Sequence, residues 1–208
     1  MIKFIYFDVG SVIVDNEAAM QSVARMHNVT RDQIFAIVEA NWKAGCLGTL
    51  STKDYFTLFT EKLGITHQSF DMADFWSDHQ GFFQETHDFI HELEDNYRLG
   101  ILSNAEIGIL QKLLDKKKIP NVKWEVIVES AQYGVIKPDP KIYEIAESLV
   151  PDLKPHELLF IDDYIEMVDA AKKRGWHGEV FDPKDKKGSI ERIKKVLLHT
   201  NKHDFGEH

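Results

Sequence analysis

The chain has one cysteine, Cys46, which excludes an internal disulfide and fits a reducing compartment. Positive charge is also scarce. Lys and Arg number 25 against 34 Asp and Glu, a net charge of -9 with His neutral. A surface this acidic repels phosphate backbones, so nucleic acid is not an expected partner. A small anion could bind only where a metal or a lysine supplies local positive charge. No apolar run approaches the ~18 residues needed to cross a bilayer, so no membrane partner is expected. The apolar start of MIKFIYFDVG is too short for a secretion signal and runs straight into an acid. Repeats and low-complexity segments are absent as well. The expectation is a cytoplasmic globular protein, monomer or homodimer.

What is present is an ordinary globular balance, 208 residues with 43% hydrophobic and 28% charged. That length suits one domain, or one domain with a modest insertion. Ile2 to Phe7 is an apolar, β-rich run that ends at Asp8 and Gly10, and it reads as a buried strand. Residues 15–95 then read almost wholly as helix. Thr30 to Gln33 is a capping-box pattern, and Gly45, Gly48 and Thr49 form a break before a second helix after Ser51. From Arg98 the rhythm changes. Strands are expected at Arg98–Ser103, Glu125–Val128, Leu158–Ile161 and Glu179–Phe181. Helices are expected between them, one opening at Pro138, one reaching Arg174 with Gly175 as C-cap, and a last one over Ile190–Leu198. Alternating strands and helices predict an α/β fold with a parallel sheet. The helical block predicts an insertion, giving a core of 1–15 plus 85–199, a helical cap of 16–84 and a polar mobile tail of 200–208.

In open parallel sheets, ligands bind beyond the carboxyl ends of the strands. The residues expected there are Asp8 after the first strand, Ser103 and Asn104 after the second, and Asp162 and Asp163 after the fourth. Lys137 lies between the third strand and its helix. Singly, each has a plainer reading: a helix cap for Asp8 or Ser103, a surface cation for Lys137. Together they hold the parts that phosphoryl transfer needs. A carboxylate attacks phosphorus, a magnesium ion with oxygen ligands offsets the repulsion of two anions, and a lysine and hydroxyl hold the remaining oxygens.

These segments resemble motifs of the haloacid dehalogenase superfamily of hydrolases: FDVGSVIVDNE at 7–17, ILSNAE at 101–106, SAQYGVIKPDPKIYEIA at 130–146 and LLFIDDYIEMVDAA at 158–171. The position of the helical block matches the subgroup with a helical cap on a Rossmann-like core. The first motif looks most like the branch reading FDLGNV, which includes phosphatases of sugar phosphates. The resemblance implies that Asp8 is the nucleophile and a Mg2+ ligand, with Gly10 lending its carbonyl to the metal. Ser103, Asn104 and Lys137 would contact phosphate, and Lys137 would also stabilise the nucleophile. Asp163 would ligate the metal with Asp162 beside it. The implied substrate is a small phosphorylated metabolite. Trp42, Lys43, Cys46 and Leu47 flank the cap's glycine break, and by resemblance this loop would face the site and help choose substrate. Cap core plus a surface lysine is the equal alternative.

Two departures stand out. The family's phosphatases usually carry a second Asp two residues after the nucleophile, as general acid and base, where this chain has Gly10. Met167 stands where an acid or amide is often found. A missing general acid typically costs about 10² to 10⁴ in rate. Two rival readings follow: a metal-independent 2-haloacid dehalogenase, with Arg25 and Arg31 as the only cap arginines, or a catalytically weak binding or regulatory protein. Phe75 and Trp76 are expected in cap packing. His199, His203 and His208 are expected in the polar tail region, and Lys116, Lys117 and Lys118 at a solvated helix end.

Overall fold

The computed structural model describes residues 1–202. In chain order the elements are β1 (Phe4–Phe7), β2 (Val14–Asp15), α1 (Asn16–His27), α2 (Arg31–Cys46), α3 (Thr52–Leu63), α4 (Met72–His79), β3 (Gly81–Phe82) and α5 (Gln84–Leu93). There follow β4 (Arg98–Ser103), α6 (Ile109–Asp115), β5 (Trp124–Glu129), α7 (Pro140–Ser148), β6 (Leu158–Asp162), α8 (Ile165–Lys173), β7 (His177–Val180) and α9 (Lys186–Lys202). Five strands form one parallel sheet in the order β5-β4-β1-β6-β7. The α/β fold with a Rossmann-like parallel sheet and an inserted helical block is therefore as the alternation predicts.

The sheet is buried on both faces, which is why its strands read as continuous apolar runs. Alternate residues of β1 go to opposite sides. Ile5 and Phe7 pack with Leu99, Ile101, Leu159 and Ile161 against helices α5, α6 and α9. Phe4 and Tyr6 pack with Leu102, Val128 and Phe160 against α7 and α8. Gly100 in β4 is there because the rings of Phe4 and Tyr6 lie over it. A Cβ at that position would stand 2.7–2.8 Å from both rings. Helices α1 to α4 have their own apolar cluster, built from Val23, Ile34, Tyr55, Phe59 and Phe75.

Local signals hold where the chain decides them. The Thr30–Gln33 capping box forms, with Thr30 N–H donating to Gln33 Oε1 at 2.8 Å and Gln33 N–H to Thr30 Oγ1 at 3.2 Å. Gly175 takes a left-handed φ of 89° just past α8.

Several boundaries differ from expectation. α7 opens at Pro140, not Pro138, because the Asp139 carboxylate caps it by accepting from Lys141 N–H at 2.9 Å. α2 runs through Gly45 to Cys46, and the break comes at Gly48 with φ 70°. β2 and β3 form an unexpected two-stranded antiparallel ribbon at the two ends of the block expected to be helical, since two-residue strands leave no periodic trace. The last strand lies at His177–Val180, and α9 extends at both ends of its expected span. Lys116 is not simply solvated. Its ammonium donates to Ser77 Oγ at 2.8 Å and to Asp74 O at 3.3 Å, tying α6 to α4. His203 and His208 lie outside the described residues, as does the chain beyond Lys202. Among the described residues, no helix is long and apolar enough to cross a membrane.

Crowding at Gly100 gives a direct test of the core. Gly100→Ala is expected to lower unfolding free energy by about 1–3 kcal/mol, because two fully buried rings must shift. Urea denaturation checks this, and an unchanged midpoint would show that the rings yield freely.

Candidate active site

β1, β4 and β6 are neighbours in the sheet, with Phe7 opposite both Ile101 and Ile161. The residues that follow in each strand therefore collect at one edge. Asp8 N–H donates to Ile161 O at 2.8 Å, which continues the ladder one residue past β1 and fixes the carboxylate at the sheet's end.

Lys137 sits at the centre of this edge. Its side chain is 2% exposed, and Nζ donates to Asp8 Oδ1 at 2.8 Å and Asp162 Oδ2 at 2.6 Å. It also lies 4.9 Å from the centre of the Phe160 ring. Burial works against its charge, but Asp162 and Asp8 together raise its pKa, so the ammonium stays ionised. Asn104 grips the Lys137 backbone on both sides. Its Oδ1 accepts from Lys137 N–H at 2.8 Å, and its Nδ2 donates to Lys137 O at 3.1 Å. The Asn104 amide thus positions the lysine.

The two adjacent acids have different environments. Asp162 is fully buried and has both oxygens engaged, one by Lys137 and the other by Tyr164 N–H at 2.8 Å. Asp163 is hydrogen-bonded to neither Lys137 nor Tyr164 among the described residues. Burial pushes its carboxyl up, and the negative charges of Asp8 and Asp162 push it further, to about 8, while the Lys137 charge and its own backbone N–H only partly favour ionisation. Asp8, Asp162 and Asp163 each offer an oxygen within 4.8 Å of the others. Three carboxylates against one ammonium leave two negative charges when all are ionised. An all-oxygen set with that surplus fits a hard divalent cation. The residues that would hold it are Asp8 and Asp163, with Asp162 already committed to Lys137 and Tyr164.

Ser103 is buried at the end of β4 and lines the same cavity of about 610 Å³, as do Gly10, Asn104, Trp42, Cys46 and Met167. Lys43 is exposed and outside that lining. Phe75 is wholly in cap packing, whereas Trp76 also reaches the cavity.

Three features were not anticipated. The space in front of Gly10 is filled by Asn16: a Cβ on Gly10 would stand 2.8 Å from Asn16 Nδ2. The Asn16 amide oxygen is in turn 2.8 Å from the Gln80 amide. Glu106, the last residue of ILSNAE, lines the cavity against Gly45 and Tyr55 of the cap. Burial raises its pKa, and Glu129 adds to the effect. The third is Ser130, whose hydroxyl donates to Cys46 O at 2.7 Å and accepts from Ala105 N–H at 3.0 Å, joining the cap to the second motif. All three lie within the quoted motifs, but only Glu106 carries a side chain whose acidity is itself a signal. Asn16 and Ser130 act on partners 64 residues from Asn16 and 84 from Ser130.

No curated protein matches the chain by sequence. Among solved structures, the chain is similar to a HAD family enzyme from Bacteroides thetaiotaomicron in complex with magnesium and inorganic phosphate. The two are 18% identical over 88% of this chain and 96% of that one, with a TM-score of 0.70. A predicted HAD-like family hydrolase from Porphyromonas gingivalis is 23% identical over 95% and 98%, with a TM-score of 0.69. The L-2-haloacid dehalogenase of Xanthobacter autotrophicus is 20% identical over 87% and 78%, with a TM-score of 0.66. These likenesses concern the fold. A family model for haloacid dehalogenase-like hydrolases matches residues 5–178 of the sequence itself. With that match spanning the whole sheet edge from Asp8 to Asp163, the chain belongs to the haloacid dehalogenase-like hydrolase family.

Proposed function

We propose that this chain is a magnesium-dependent phosphatase of small phosphorylated metabolites, sugar phosphates among them, working through an aspartyl-phosphate. The observation that carries this reading is the charge left over at the sheet edge. Lys137 bonds to Asp8 and Asp162, and Asp163, not bonded to Lys137, brings a third carboxylate within 4.8 Å of both, a surplus that appears in full once Asp163 is ionised. Magnesium bound by Asp8, Asp163 and the Gly10 carbonyl, with Asp162 alongside, supplies the positive charge that lets a carboxylate approach a phosphate dianion.

The chain's own residues account for the rest. Lys137 holds one Asp8 oxygen, and the other is left to attack phosphorus as the bond to the leaving oxygen breaks, after which water hydrolyses the acyl phosphate, releases phosphate and restores Asp8. Ser103 and Lys137 would hold phosphate oxygens, and Asn104 keeps Lys137 in place. The helical block 16–84 would act as the cap, with Trp42 and Cys46 on its substrate side. Gly10 cannot hand a proton to the leaving group. Glu106 lines the cavity against the cap and burial raises its pKa, and we assign it that role. The dehalogenase reading is less well supported, because it needs a free cap cation for the substrate carboxylate. Arg31 reaches the cavity but is bonded to Glu17 through Nε at 2.9 Å and Nη2 at 2.8 Å, and Arg25 is exposed.

Asp8→Asn is expected to abolish magnesium-dependent phosphate release across a panel of sugar, nucleotide and acyl phosphates. Release that survives the substitution would sink the mechanism, and chloride release from 2-chloropropionate without magnesium would replace it with dehalogenation.

Glu106→Gln is expected to slow turnover of alkyl phosphates about 10²-fold or more. Acyl phosphates, whose leaving groups need no proton, should be nearly unaffected. Equal losses on both classes would remove Glu106 from proton transfer.

A third expectation concerns pH. Burial and two like charges raise the folded Asp163 carboxyl to about 8 against 3.8 for an unperturbed Asp, so the metal-free fold takes up a proton that the unfolded chain does not. Its contribution to stability is therefore lost as pH rises from about 4 to about 8. Magnesium binds the deprotonated form, so the rise in Tm on adding magnesium should be larger at about pH 9 than at about pH 6. Asp163→Asn should flatten that difference. A magnesium effect independent of pH would contradict the assignment.

A further inference from the structure

A second cluster of metal-binding side chains lies in the helical block, apart from the carboxylates. His27 ends α1, His67 lies between α3 and α4, and His79 ends α4. One ring nitrogen from each lies within 4.8 Å of the other two. The rings do not stack. Their planes are inclined by 57° to 68° and their centres are 5.8 to 6.4 Å apart, so they converge from three directions.

The hydrogen bonding points the same way. His79 is 8% exposed. Its Nδ1 is 3.1 Å from Ser22 Oγ, which leaves Nε2 as the atom facing the cluster. That Nε2 is buried without a hydrogen-bond partner, and so is Nε2 of His27. Only four buried side-chain polar atoms among the described residues lack a partner, so finding two of them in one cluster is informative. A third is Ser69 Oγ, and the Ser69 N–H donates to His67 Nδ1 at 3.1 Å. Metal-binding imidazoles typically donate the second ring N–H to an acceptor, which Ser22 Oγ can be for His79 Nδ1. Ser69 N–H instead occupies the Nδ1 lone pair of His67, so ligation by Nδ1 displaces that contact and ligation by Nε2 requires the His67 tautomer to change. Phe75 closes the site from one side, its ring 4.7 Å from His79 and 4.9 Å from His67. Burial holds His27 and His79 below the usual histidine range, which keeps them neutral and able to coordinate.

We propose that His27, His67 and His79 form a transition-metal site of the zinc class that ties α1, α4 and the α3–α4 connection together. Three imidazole nitrogens suit zinc, cobalt, nickel or copper ions, whereas magnesium and calcium take oxygen ligands. The site therefore differs in chemistry from the sheet-edge carboxylates. Bond lengths of about 2.0–2.1 Å draw the three nitrogens inward, and water completes a tetrahedron. The neighbouring residue Gln80 holds Asn16 in front of Gly10, so an occupied site would also steady the wall of the catalytic cavity.

The test uses the full-length chain without an affinity tag, stripped with chelator and then saturated with magnesium to block the carboxylates. Cobalt and zinc are titrated separately, followed by visible absorption for cobalt and by calorimetry and Tm for both. One equivalent should bind, give cobalt d–d bands of a low-coordinate nitrogen site, and raise Tm. His67→Gln, on a connecting segment, should weaken binding at least about tenfold. His79→Gln should do the same, and His199→Gln should not. Absence of binding by the unaltered chain, or unchanged affinity in His67→Gln, would overturn the proposal and leave ordered water as the partner of the two imidazoles.

Discussion

An ammonium group buried to 2% exposure costs several kcal/mol in desolvation unless its partners are in place. Lys137 meets that condition with two carboxylates and the face of Phe160. The partners come from the ends of β1 and β6, and Asn104, which holds the lysine's backbone, follows β4. The contact thus requires three adjacent parallel strands to end in register. A one-residue slip would turn Asp8 or Asp162 to the opposite face and strand the charge. The folding constraint and the proposed catalytic arrangement are the same set of bonds.

The same constraint explains the asymmetry of the acids. Lys137 engages Asp8 and one oxygen of Asp162, and Tyr164 N–H donates to the other Asp162 oxygen. Asp163 is left facing two negative neighbours, which makes it the group most responsive to an added cation. Gly10 shows the opposite economy. No side chain stands there, and the Asn16 amide occupies the space in front of it, while Glu106, which follows a different strand, is the carboxyl to which the proton-handling role is proposed. Ser130 and Lys116 then bind the helical block to the core, one at the cap loop and one at α4.

Much of this was legible in the sequence. The parallel strands are buried on both faces, so Leu99–Leu102 and Leu158–Ile161 stand out as unbroken apolar runs, and each is followed by the polar residues that matter. Local hydrogen bonds were equally readable, as with Thr30 and Gln33, because both partners lie within one turn. Helix openings next to prolines were less so. Pro138 and Pro140 are both tolerated before a first turn, and the Asp139 side chain decides between them. The ribbon of β2 and β3 left no trace, since two-residue strands are too short for a period.

The sequence by itself determined the parallel α/β fold, the inserted helical block and the order of the charged residues along the sheet's edge. These depend on apolar patterning and local capping, which act between residues close in the chain. Tertiary structure alone decided how those charges are shared: that Lys137 serves Asp8 and Asp162, that Asn104 serves Lys137, and that Asp163 is left over. It alone brought Asn16 to Gly10, Glu106 into the cavity, and His27, His67 and His79 together. Burial and proximity set those outcomes, and both arise only when segments distant in the chain pack against one another.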